Sequence, residues 1–80
     1  MARDPEALHA VTTSVLAHLS RCPNAADTAE GIREWWLTSL STVDPQVVQA
    51  ALDELVREGR LERAASVSGD PVYRRARRAP

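Results

Sequence analysis

The segment VDPQVVQAALDELVREGRLER, Val43 to Arg63, decides how the rest of the chain is read. Asp44-Pro45 opens a helix: the aspartate caps the free N–H groups of the first turn, and proline suits the first helical position, where its missing N–H costs nothing. Val48, Ala51, Leu52, Leu55 and Val56 recur at spacings of three and four, so the helix buries one stripe, with Val47 at its margin. Gly59 stands where a helix ends in a left-handed turn. The pattern predicts a helix over Pro45–Glu58, followed by an extended RLER.

Working back toward the N-terminus, Asp4-Pro5 repeats the same opening and predicts a first helix over Pro5–Arg21. Leu8, Val11, Val15, Leu19 and Cys22 form its apolar stripe, while His9, Thr13, His18 and Arg21 are expected to face water. Pro23 ends it, because the residue before a proline avoids the helical conformation. A second helix is expected over Thr28–Leu37, with Asp27 as cap and Glu30 completing a capping box. Ile32 and Trp36 share one face, and Trp35 lies about 100° around the helix from Trp36. The polar stretch TSLST is expected to turn, anchored by Leu40. Toward the C-terminus, RLERAASV and PVYRRAR flank Ser68–Asp70, which predicts a hairpin with Leu61 and Tyr73 turned inward. No internal repeat and no low-complexity segment is present.

The fold class that follows is mainly α with a small β-hairpin. Helix, helix, a longer capped helix ending in glycine, then a two-stranded hairpin resembles the order of a winged helix-turn-helix domain. VVQAALDELVREGRLER and GDPVYRR carry the resemblance, as the family's third helix, its glycine, the following strand and a wing with an aromatic on its return strand. It spans nearly the whole chain. One departure is WWLTSLSTVD, several residues longer than the short turn that family members commonly place between the second and third helices.

Eighty residues make one domain, 1–80, with 1–4 and 76–80 expected to fray. With Cys22 as the single cysteine, no intramolecular disulfide and no four-cysteine metal site can form. His18 and Cys22 stand at i and i+4, a workable spacing for two ligands, but no second pair completes a site, so no metal is expected. The start MARDPEALHA lacks an apolar run behind a basic segment, and no window is apolar enough to cross a bilayer. A cytoplasmic protein without membrane contact is expected. No phosphate loop, nucleophile elbow or paired carboxylates appear, and so small a chain can hardly surround a substrate. Neither catalysis, nor a cofactor, nor a small-molecule substrate is expected.

The net charge of −1 hides an asymmetry. Met1 to Gly59 holds four Arg and nine acidic residues, a balance of −5, whereas Arg60 to Pro80 holds six Arg and two acids, a balance of +4. In DNA-binding members of the family the third helix lies in the major groove. The resemblance places Gln46, Gln49, Ala50 and Asp53 on that outer face, with Glu54 and Arg57 further along. Gln46 and Gln49 are of the type that reads adenine, yet Asp53 and Glu54 would meet phosphates with like charge. Basic residues of the hairpin and tail, Arg63, Arg74, Arg75 and Arg77 among them, are the candidates for phosphate contacts. They serve equally well to pair with the chain's own acids.

Trp35 and Trp36 supply two of three aromatic residues. A core this small readily buries one indole on the Ile32 face, but hiding two neighbours is harder. A wet Trp35 beside Ile32 and Leu37 would anchor another protein or a second copy of the chain. The expectation is therefore an adaptor or regulatory interaction module. The alternative is a DNA-binding regulator that contacts phosphates through a basic wing.

Overall fold

The computed structural model describes residues 5–37 and 43–76. In chain order they form helix α1 (Pro5–Arg21), strand β1 (Ala26–Thr28), helix α2, helix α3 (Pro45–Arg57) and strands β2 (Leu61–Ala64) and β3 (Val72–Arg75). Helix α2 has two parts, an α-helical turn over Ala29–Gly31 and a wider π-helical turn over Ile32–Trp36. The result is a small mixed α/β fold with an antiparallel sheet of order β1-β3-β2. No described helix is long and apolar enough to cross a membrane.

The core lies between α1, α2, α3 and the inner face of the sheet. Val11, Val15 and Leu19 of α1 meet Val48, Ala51, Leu52 and Leu55 of α3, with Ile32, Trp36, Leu37, Leu61 and Tyr73 completing the cluster. Two expected members of the α1 stripe fall outside it. Leu8, in the second turn, only borders the core. Cys22 is exposed, because its N–H still bonds the His18 carbonyl at 2.8 Å while its own carbonyl already closes a turn with the Ala25 N–H at 3.0 Å. The chain thus leaves the helix axis at the point where the stripe would have continued. Val56 is half-buried rather than part of the core.

Helix α3 starts and stops as its sequence predicts, one residue short of the expected Glu58. The Asp44 carboxylate accepts the Gln46 N–H at 2.8 Å. At the other end Gly59 takes φ 78°, and the Arg60 N–H reaches back to the Leu55 carbonyl at 2.9 Å. That bond and the one from Gly59 N–H to Val56 close the helix in a left-handed turn favouring glycine.

The sheet corrects the expectation of a two-stranded hairpin. β2 and β3 pair with Leu61 opposite Arg75 and Arg63 opposite Tyr73, and β1 adds a third strand with Asp27 opposite Tyr73. Ala26, Asp27 and Thr28 show no strand-like alternation; β3 supplies the hydrogen-bonding edge that makes them a strand. The cap of α2 shifts accordingly. Asp27 belongs to β1, and Thr28 is the N-cap, its hydroxyl accepting the Gly31 N–H at 3.1 Å, so the expected capping box does not form. Ala76, expected to fray, donates its N–H to the Arg60 carbonyl at 3.1 Å. The turn expected around Leu40 and the frayed segments 1–4 and 77–80 lie outside the described residues.

Candidate functional site

The widened turn of α2 determines what each tryptophan does. The Leu37 N–H bonds the Ile32 carbonyl at 3.1 Å, an i+5 closure that adds a residue to the turn. Ile32 and Leu37 are both buried in the core. Of the three residues expected to form a protein interface, Ile32 and Leu37 therefore cannot touch a partner in the folded chain. Trp35 can: 71% of it is exposed, against 9% of Trp36. Trp36 turns inward and carries His18 stacked on its ring, with centroids 4.4 Å apart and planes 19° apart.

Gly31, four residues before Trp35, closes the α-helical part of α2. The space a Cβ would occupy at Gly31 is filled by the Asp27 carboxylate, which reaches across from β1 and accepts the Thr28 N–H at 2.8 Å. Asp27 is half-buried, and Glu30 and Glu34 are exposed. Among the described residues Arg63 is placed over the ring of Tyr73.

The outer face of α3 is occupied differently from a base-reading helix. The Gln49 amide donates to the Tyr73 hydroxyl at 2.8 Å and to the Asp53 carboxylate at 3.0 Å. Arg63 lies 3.9 Å from Asp53 and sits with its guanidinium carbon 5.8 Å from the Tyr73 ring centroid. Arg57 pairs with Glu54, and Arg74 donates to Glu62 on the neighbouring strand at 3.1 Å. Gln46 is exposed with its side chain in no hydrogen bond among the described residues, and Arg75 is exposed without an acidic partner among them. Arg77 lies outside the described residues. Beside this face, a groove of about 310 Å³ between α2 and α3 is lined by Glu30, Arg33, Val48 and Gln49, together with Ala29 and Pro45.

The sequence therefore led to Trp35 and missed its surroundings. Gly31 offered a signal, being a glycine inside a helical pattern, a place where something approaches closely. Nothing local indicated that Gln49 would be held by Tyr73, twenty-four residues away. No protein-family model, curated protein or solved structure matches this chain.

Proposed function

We propose that this chain is a non-enzymatic winged helix-turn-helix module of the cytoplasm that docks another protein through Trp35. The observation that carries the proposal is the division of the tandem tryptophans: one indole completes the core, and its neighbour stands in water. An exposed indole on a structured helix is a favourable anchor, since it contributes a large contact area with few rotamers to freeze. The layout of three helices with an antiparallel sheet is compatible with the winged-helix part of the proposal.

DNA binding is the second reading, favoured by Arg75, which has no acidic partner among the described residues. Against strong binding stand Gln49, engaged with Tyr73 and Asp53, and Arg57, Arg63 and Arg74, each next to a carboxylate. Phosphate contacts release counterions only to the extent that the cations are available. Duplex binding by this surface is expected to be weak, salt-sensitive and indifferent to sequence.

Two measurements separate the readings. In single-tryptophan variants iodide should quench Trp35 far more than Trp36, and Trp35→Ala should keep the fold while Trp36→Ala unfolds it. Random duplex titrated at two salt concentrations should shift amides near Arg75 at low salt only. Tight, sequence-selective binding lost on Gln49→Ala would replace protein docking with an ordinary DNA-binding regulator.

A further inference from the structure

We infer that Asp53 is a built-in counter-anion, whose carboxylate engages Arg63 and so restrains the surface formed by α3 and β2 from binding duplex nucleic acid. Docking through Trp35 plays no part in this contact; what Asp53 restrains is the duplex binding of the second reading.

Most ion pairs on this side of the molecule are local. Arg57 and Glu54 stand three apart on α3, Arg60 and Glu58 are two apart at its end, and Arg74 faces Glu62 in the strand register. Arg63 and Asp53 differ, because they belong to separate elements. They come within 3.9 Å only because Leu61 and Tyr73 pack with α3 in one core. The carboxylate is also held in place. The Gln49 amide, one turn earlier on α3, donates to it at 3.0 Å and to the Tyr73 hydroxyl at 2.8 Å. The Arg63 guanidinium lies over the Tyr73 ring, its carbon 5.8 Å from the centroid. Gln49, Asp53, Arg63 and Tyr73 thus form a closed circuit that ties α3 to both strands.

An arginine strengthens phosphate binding only by what it gains over its present partner. Arg63 already has a carboxylate beside it and an aromatic face beneath it, and Asp53 repels an approaching phosphate directly. Both side chains are 46% exposed, so a polyanion can reach the pair from solvent. At 3.9 Å the two are an ion pair without a hydrogen bond, which leaves the guanidinium N–H groups for a phosphate that displaces Asp53. Neutralising this one carboxylate should therefore release binding that the unchanged chain suppresses.

The experiment uses Asp53→Asn, which keeps an acceptor for Gln49 and removes only the charge. The full chain is titrated with random duplex DNA at several salt concentrations. At low salt Asp53→Asn should bind roughly two- to fivefold tighter than the unchanged chain, the scale of one exposed ion pair. Its affinity should also fall more steeply with salt, by about 0.9 in the log–log slope for one phosphate newly contacted. Adding Arg63→Ala should remove both gains. Unmoved amide signals of the core residues verify that the variants fold. A gain of equal size in the Arg63→Ala background would reduce Asp53 to its share of the net charge and overturn the inference, with duplex binding left in place. Equal affinities of the unchanged and Asp53→Asn chains would overturn it in the same way. If neither chain binds duplex at low salt, the inference fails together with the second reading, and docking through Trp35 is unaffected.

Discussion

The imidazole of His18 lies nearly flat on the indole of Trp36, with ring centroids 4.4 Å apart. His18 is expected to face water, yet it follows Val11 by seven residues and Val15 by three, which sets it at the edge of the buried stripe. The structure instead uses it as a half-buried cover, closing the outer side of a ring whose inner side meets the core. Trp36 is thereby shielded by α1, and Trp35, which has no such cover from that helix, is left wet.

Removing the cover should cost stability and admit quencher. His18→Ala should lower stability by about 1 kcal/mol, the scale of one aromatic pair. In a Trp35→Phe background the same change should raise iodide quenching of Trp36, and His18→Phe should restore both. Urea midpoints and quenching slopes provide the check; an unmoved midpoint would make the stack incidental.

Gly31 and Asp27 should be strongly coupled. Alanine normally favours a helix over glycine by about 1 kcal/mol. Here its Cβ would collide with the Asp27 carboxylate, so Gly31→Ala should instead destabilise by about 1–3 kcal/mol, the usual range for overpacking. With Asp27→Ala already in place, the same substitution should become neutral or stabilising. A double-mutant cycle by urea unfolding tests the change of sign, and additive effects would mean that Asp27 moves aside freely.

Gln49 is expected to matter for stability rather than for DNA. Gln49→Ala removes the donor held by the Tyr73 hydroxyl and should cost about 1 kcal/mol, typical of a hydrogen bond between neutral groups. Tyr73→Phe should cost a similar amount, and the double substitution clearly less than the sum. Its affinity for random duplex should stay unchanged in the Gln49→Ala protein.

Leu52 faces the centre of the core from α3. Truncation to alanine should cost roughly 2–5 kcal/mol, through lost transfer energy and the cavity left behind. A loss below about 0.5 kcal/mol would mean that the site collapses around the smaller side chain.

Much of this molecule is legible from short-range sequence. The stripe Val48, Ala51, Leu52 and Leu55 marks the buried face of α3, because a 3.6-residue period lines those side chains up whatever they pack against. Asp44 and Gly59 bound the helix through contacts within a few residues, so their roles too can be read locally. Leu61 and Tyr73 turn inward as alternation along an extended chain requires. The contrast between Trp35 and Trp36 also fits helical geometry, since neighbouring side chains on a helix point about 100° apart.

Tertiary structure decided the rest, and in each case the deciding partner is distant in sequence. β1 exists because β3 offers Ala26, Asp27 and Thr28 an edge to pair with, which draws Asp27 out of its expected capping role and sets its carboxylate over Gly31. The i+5 closure of α2 draws Leu37 inward, where periodicity alone had left it beside an exposed indole. Gln49, of the residue type that reads adenine, is turned toward Tyr73. Periodicity and capping are properties of one segment, and the chain specifies them before it folds. Strand pairing, a cross-chain hydrogen bond and the cover over a ring depend on two segments meeting, and only the assembled core brings those segments together.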